Sequence, residues 1–201
     1  MSYKVVLIGE GRVGKSSIGN KWSYGKFDSQ QRSTIAVGCF QKTVNTSDGK
    51  AIDIRLWDTA GQEEYHSLTP IYYKDAHLAL IVYSVTDTTS FERMVQWKKE
   101  LDQSRGTDIK IVIAANKIDL VQHRVVTQKQ GLDFATSINV PIFEVSAKTG
   151  ESIDLMFQNI AKILSEIPQQ GVKHQRTGKM GLMVVGNDSQ EAVEKKNGGC
   201  C

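Results

Sequence analysis

The chain of 201 residues is long enough for one domain with a full core and a short extension. Its formal net charge of +3 is too small to favour nucleic-acid binding, so we expect no nucleic-acid partner. The three cysteines, Cys39, Cys200 and Cys201, do not suit a disulfide framework and indicate a reducing compartment. The longest apolar run, residues 78–85, is too short to cross a bilayer, and a strand beginning at Tyr3 leaves no room for a secretion signal. We therefore expect a soluble intracellular protein.

The first predicted elements are a strand, a glycine-rich loop and a helix. Residues 3–8 form an apolar run rich in β-branched side chains, and Ile18 and Trp22 have helical spacing. Between them, residues 9–16 read Gly-Glu-Gly-Arg-Val-Gly-Lys-Ser, which fits the phosphate-binding loop pattern. In such a loop the amides surround phosphates, the lysine reaches the outer ones and the serine hydroxyl binds Mg²⁺. The alternative is a turn that carries Lys15 by chance, and the flanking strand and helix argue against it.

A hairpin is predicted after the first helix. Residues 27–34 are polar and irregular, whereas residues 35–44 and 51–57 read as two strands. They are joined by Thr46-Ser47-Asp48-Gly49, and Asp-Gly between alternating segments is a strong hairpin signal. The hairpin therefore supplies a single antiparallel strand at the edge of the sheet.

Beyond the hairpin, apolar strands alternate with helical patterns. The strands are predicted at residues 78–85, 109–114 and 141–145. Capping boxes at Thr89 and Thr127 are expected to begin two of the helices, and the last helix carries an apolar stripe from Ile153 to Leu164. This alternation predicts an α/β fold with a six-stranded, mostly parallel sheet, one antiparallel edge strand and helices on both faces.

The last helix is expected to end at Pro168. Residues 168–201 are glycine-rich, polar and without periodicity, which predicts a disordered tail after a domain of residues 1–167.

Polar motifs follow three strands besides the first. They read Asp58-Thr59-Ala60-Gly61-Gln62, Asn116-Lys117-Ile118-Asp119 and Ser146-Ala147-Lys148. Ligands of open α/β sheets bind beyond the carboxyl ends of the strands. Taken singly, Asp58 could cap a helix, Asn116 could be a turn residue and Lys148 a solvated charge. Their occurrence in order, each at a strand end, favours one shared site.

These motifs, together with residues 9–16 and Thr34, resemble the nucleotide-binding motifs of the Ras superfamily of small GTPases. The resemblance covers residues 3–167 and implies a P-loop small G domain that hydrolyses GTP to GDP. Residues 57–63, residues 71–73 and the terminal Cys-Cys resemble the Rab branch more narrowly. Within that branch residues 65–73 are most similar to endosomal members, which implies a switch regulating vesicle traffic, in particular endocytic traffic.

Asp119 predicts selectivity for guanine. Its carboxylate can accept from both N1–H and the 2-amino group of guanine, and adenine offers neither, a mismatch that can reach ~10⁴-fold. By the resemblance, Asn116 and the Ala147 amide address the O6 side, Lys117 and Phe27 flank the purine ring, and Lys148 supports the loop. Phe27 could instead be a core anchor. The expected GTP-binding residues are Gly11, Arg12, Val13, Gly14, Lys15, Ser16, Ser17, Phe27, Thr34, Gly61, Asn116, Lys117, Asp119, Ser146, Ala147 and Lys148.

The resemblance also implies a Mg²⁺ site and a set of catalytic residues. Ser16, Thr34 and Asp58 are the expected metal ligands or holders of the metal's water shell. The expected catalytic residues are Lys15, which neutralises phosphate charge, Gln62, which positions the attacking water, and Gly61, whose amide donates to the γ-phosphate.

Slow intrinsic hydrolysis is expected, because this set contains no strong base and must act by positioning and charge stabilisation. A GTPase-activating protein should therefore supply the missing charge. Arg12 could be proposed as a resident arginine finger, but its side chain is expected to point to solvent.

Two segments should report the γ-phosphate through Thr34 and Gly61, which makes residues 27–39 and 61–73 the expected effector surface. The family further implies an exchange factor, a GDP-dissociation inhibitor or escort protein and effectors as partners of a monomer.

The chain departs from the Rab pattern at Ala36 and Glu64, so partner identity is not carried over from relatives. The span from Thr34 to Trp57 is also one residue longer than usual. If the extra residue lies in the turn, Cys39 takes the place of the effector-binding aromatic; if it lies near Gly38, Phe40 does.

The terminal Cys200 and Cys201 lack a C-a-a-X arrangement and resemble a double geranylgeranylation site. Two lipid chains are what stable anchoring requires. We expect the protein on the cytoplasmic face of an intracellular membrane, an endosomal one by resemblance, cycling with the cytosol.

Two other function classes compete with the switch. A metabolic P-loop kinase would need an acceptor site and a lid, and no basic lid segment is evident. A nucleotide-binding scaffold with negligible turnover is disfavoured by Gln62 and Gly11.

Overall fold

The computed structural model describes residues 2–31, 38–58, 74–105 and 109–167. Within these ranges the chain forms six strands, four α-helices and one 3₁₀ turn at Val121–His123. The strands are β1 (Ser2–Ile8), β2 (Gly38–Asn45), β3 (Ala51–Asp58), β4 (Leu78–Ser84), β5 (Lys110–Asn116) and β6 (Ile142–Val145). The helices are α1 (Lys15–Tyr24), α2 (Thr88–Arg105), α3 (Gln128–Ser137) and α4 (Ile153–Ser165).

The strands form one sheet in the order β2-β3-β1-β4-β5-β6. β2 pairs antiparallel with β3, and the other neighbours are parallel, so the predicted fold class is confirmed. The hairpin turns where Gly49 adopts a φ of 80°, which glycine tolerates without a Cβ penalty. Parallel pairing brings the carboxyl ends of β1, β3, β4, β5 and β6 to the same edge.

Helices cover both faces of the sheet. On one face α1 and α4 meet, and the rings of Trp22 and Phe157 stack with their centroids 4.0 Å apart. On the other face Met94 of α2 and Ala135 of α3 pack against the second apolar cluster. Every residue of β4 between these layers is buried, as its continuous apolar run predicts.

The capping prediction is confirmed at α3 and wrong at α2. Thr127 forms the expected capping box with Gln130. Helix α2, however, begins at Thr88, and Asp87 Oδ1 accepts hydrogen bonds from the Thr89 and Ser90 amides at 3.0 and 3.3 Å. The carboxylate of Asp87, two residues earlier, therefore takes the capping position and places Thr89 inside the helix.

The register of the hairpin decides the place of Cys39. Cys39 lies opposite Trp57, whereas Phe40 lies opposite Leu56. Directly opposite residues share a face, so exposed Cys39 stands beside Trp57. The Phe40 ring packs on the other face against Gly19 of α1, where a Cβ would collide with it. This register favours the alternative in which the extra residue lies in the turn and Cys39 takes the place of the effector-binding aromatic.

Several predicted functional residues lie outside the described residues. They are Thr34, Ala36, Gly61, Gln62, Glu64, Cys200 and Cys201, together with the predicted tail at residues 168–201. Among the described residues, no helix combines the length and apolarity needed to cross a membrane.

Candidate nucleotide-binding site

The loop between β1 and α1 has a backbone that suits an anion. Gly9 adopts a φ of 146°, and a Cβ there would collide with the Val82 carbonyl of β4. Gly14 is the N-cap of α1 with a φ of 97°, and no side chain caps the helix there. Arg12, also left-handed at a φ of 63°, has an exposed side chain. The positive end of α1 thus opens directly onto a tight, glycine-rich loop.

The Lys15 ammonium is buried inside this loop. Its side chain is 5% exposed, and Nζ donates to the Gly9 and Glu10 carbonyls at 2.8 and 2.9 Å. Burial lowers the pKa of Lys15 to about 8, while the carboxylates of Asp58 and Glu10 oppose that shift. Because this pKa lies above 7, the ammonium stays mainly protonated at neutral pH and can face phosphate oxygens.

Asp58 and Ser16 offer hard oxygen donors next to the loop. Asp58 ends β3 beside Leu7 of β1, and its carboxylate is buried near the Lys15 ammonium. Ser16 lies in the first turn of α1. Carboxylate and hydroxyl oxygens suit Mg²⁺, which usually keeps several waters and binds phosphate oxygens as well. Among the described residues, no cluster of three or more His, Cys, Asp or Glu side chains that could hold a metal ion occurs.

Asn116 ties the phosphate loop to the opposite side of the site. Its side chain is 2% exposed, Nδ2 donates to the Val13 carbonyl at 2.9 Å, and Oδ1 accepts from the Ala147 amide at 3.1 Å. The resemblance implies a role for Asn116 only at the base, and nothing in the sequence indicates this link to Val13. One buried amide therefore joins three loops that follow β1, β5 and β6.

The Asp119 carboxylate is held in position by Ser146. Ser146 Oγ donates to Asp119 Oδ1 at 2.7 Å and accepts from the Thr149 amide at 3.1 Å. Lys117 lies two positions before Asp119 in the loop that follows β5. Its backbone has a left-handed φ of 71°, and burial lowers the pKa of its ammonium. Strained backbone of this kind clusters at ligand sites. The acceptor predicted for guanine is thus oriented before a ligand arrives.

The peripheral predicted residues differ in their surroundings. Phe27 is 38% exposed and belongs to neither apolar cluster of the described residues, which argues against a core anchor. Ser17 Oγ donates to Gln31 Oε1 at 3.3 Å, and Lys148 is exposed. The described members of all four motifs nevertheless meet at one edge of the sheet.

One ion pair at the site was not predicted. Arg93 Nε of α2 donates to Glu10 Oε2 of the phosphate loop at 3.0 Å. A glutamate in a phosphate-binding loop is a signal that a cation should lie nearby, but the sequence does not indicate which one.

The chain is similar to known proteins of one family. The family model described as Ras family matches residues 4–166. Ras-related protein Rab-21 of Homo sapiens is 35% identical over 207 aligned positions, which cover all of this chain and 91% of the relative. Ras-related protein Rab-21 of Geodia cydonium is 41% identical over 163 positions, 81% of this chain and 71% of the relative. GTP-binding protein ypt5 of Schizosaccharomyces pombe is 34% identical, with 100% and 94% covered.

The match to the family model covers most of the chain, and these relatives are similar along most or all of it. In general, Ras-family GTPases bind GTP, GDP and Mg²⁺, and Rab proteins associate with membranes and act with exchange factors, activating proteins, dissociation inhibitors and effectors. This chain therefore belongs to the Ras family and is a Rab-type small GTPase, a switch in vesicle traffic that hydrolyses GTP.

Proposed function

We propose that the edge of the sheet around Asn116 binds guanine nucleotide with the phosphates at residues 11–17 and the base at Asp119. The observation that carries this proposal is the pair of Asn116 hydrogen bonds, which join the phosphate loop at Val13 to the base loop at Ala147. The oriented Asp119 carboxylate selects guanine, and Phe27 and Lys117 flank the ring. Ser146 and Lys148 support the base loop.

In this proposal hydrolysis proceeds by positioning rather than by a strong base. Ser16, Thr34 and Asp58 would hold Mg²⁺, which stabilises charge on the phosphate oxygens when bound. Lys15 neutralises phosphate charge, the Gly61 amide donates to the γ-phosphate and Gln62 orients the attacking water. The intrinsic rate is therefore slow, and an activating protein accelerates it.

The cheapest test identifies the nucleotide that accompanies the purified protein. Denatured samples of the full chain should release GDP or GTP on ion-exchange chromatography. Release of ATP, or of no nucleotide, contradicts the proposal. ATP in particular would favour a metabolic P-loop enzyme.

Gln62→Leu should reduce hydrolysis stimulated by an activating protein by about 10³-fold or more, because leucine cannot orient the water. GDP affinity should stay within about threefold of wild type, since no base or α-phosphate contact changes. Single-turnover hydrolysis measures the first quantity and fluorescent-GDP titration the second. Gln122→Leu, at an exposed position of the 3₁₀ turn, is the matched control. Unchanged single-turnover hydrolysis in Gln62→Leu contradicts the assignment.

We further propose that the switch acts on endosomal membranes in endocytic traffic. The support is the resemblance of residues 65–73 to endosomal members of the branch. Residues 1–167 form the GTP-binding domain, and residues 168–201 form a tail that carries the anchor. Because Cys39, Ala36 and Glu64 depart from the usual effector surface, the identity of its effectors and exchange factor is not carried over from relatives.

The proposed anchor is a pair of geranylgeranyl groups on Cys200 and Cys201. Intact mass analysis of protein isolated from its own cells should show two prenyl increments, and a Cys200→Ser, Cys201→Ser variant should be cytosolic. Both lipid chains are needed because one gives only marginal, reversible binding. If the mass of the wild-type protein shows no prenyl increment, the proposed lipid anchor is contradicted.

A further inference from the structure

The phosphate loop carries a negative charge of its own at Glu10. The Glu10 side chain is only 12% exposed, and its charge acts on the neighbouring Lys15 ammonium. The Glu10 carbonyl also accepts a hydrogen bond from Lys15 Nζ at 2.9 Å. A carboxylate so close to a polyphosphate site repels the ligand unless a cation compensates it.

The compensating cation comes from a distant helix. Arg93 of α2 donates from Nε to Glu10 Oε2 at 3.0 Å, and its own side chain is 33% exposed. Its Nη1 also donates to Gln96 Oε1 one helical turn further along, at 2.6 Å, which orients the guanidinium. The pair links residues 83 positions apart, and it is more enclosed than the exposed Lys129–Asp133 pair of α3.

We propose that Arg93 is a positioning residue for the phosphate loop: it neutralises the Glu10 carboxylate, which then does not repel the bound phosphates, and so slows nucleotide release. This inference rests on the proposed placement of the phosphates.

A double-mutant cycle separates this role from a general contribution to folding. Rates of fluorescent-GDP release are measured for the full chain as wild type, Arg93→Gln, Glu10→Gln and the double variant. Arg93→Gln should accelerate release about tenfold, because it removes the ion-pair partner of an enclosed carboxylate. The release rate of Glu10→Gln alone should stay within about threefold of wild type. The release rate of the double variant should return to that range, since removing both partners of a pair is nearly neutral.

Two further variants control for folding. Lys99→Gln removes an exposed charge from the same helix and should leave release unchanged. If Arg93→Gln does not fold, two other variants replace it. Arg93→Lys keeps the positive charge, and its rate of GDP release should stay within about threefold of wild type. Arg93→Met removes the charge, and its rate of GDP release should rise above that range.

The outcomes are distinct. Equal rates of GDP release from Arg93→Gln and from the double variant overturn the inference, because Arg93 then does not act through Glu10. Release from Arg93→Gln no faster than from Lys99→Gln overturns it as well. A wild-type protein that binds no guanine nucleotide overturns the proposed function and this inference together, whereas normal wild-type binding with equal rates overturns the inference alone.

Discussion

Asp119→Asn is expected to lower the affinity for GTP by about 10⁴-fold and to raise the affinity for xanthosine triphosphate. The carboxylate accepts from both the N1–H and the 2-amino group of guanine, and an asparagine amide cannot accept both. Xanthine carries a carbonyl in place of the 2-amino group, so the asparagine Nδ2 can donate to it. Asparagine Oδ1 can still accept from Ser146 Oγ, which holds the Asp119 side chain at 2.7 Å.

Competition titrations with GTP, xanthosine triphosphate and ATP measure this exchange of specificity. Asp133→Asn is the matched control, because Asp133 pairs with exposed Lys129 on the surface of α3 and its substitution should not alter binding. GTP affinity within about threefold of wild type contradicts the guanine role of Asp119. An equal loss for all three nucleotides would instead indicate a damaged loop.

Asn116→Ala is expected to have the second largest effect. It leaves the Val13 carbonyl and the Ala147 amide without their buried partner, and each unsatisfied group costs about 1–3 kcal/mol. The free energy of unfolding should therefore fall by about 2–5 kcal/mol. Because the phosphate loop and the base loop lose their common tether, nucleotide affinity should fall by about 100-fold or more.

Urea denaturation of the nucleotide-free protein and fluorescent-GDP titration separate the two parts of this prediction. Asn45→Ala, at the exposed end of edge strand β2, is the control and should change neither quantity by much. If Asn116→Ala binds GDP with wild-type affinity, the tether does not organise the site. A loss of affinity with unchanged stability would assign Asn116 to ligand contact alone.

Short-range patterns were sufficient for the elements and for the locations of the motifs. The β-branched runs predict the six strands, and the apolar stripe of α4 predicts the side on which Met156 and Phe157 pack. The residues that follow the strands converge because parallel strands share one carboxyl edge. The cap of α2 is an exception, since Asp87 and Thr89 both suit an N-cap and only the backbone geometry selects between them.

The sequence by itself determined the fold class and the positions of the phosphate loop and of the motifs proposed to bind guanine, because each element and each motif is a pattern of residues close together in the chain. The tertiary structure decided the three features that depend on distant pairings: Cys39 beside Trp57, Asn116 joined to Val13, and Glu10 joined to Arg93. The register of a hairpin depends on whether an extra residue lies in the turn or in a strand, and one residue of slip reverses the faces of the strand. A link between residues about a hundred positions apart has no local pattern, so it becomes visible only when packing brings the two side chains together.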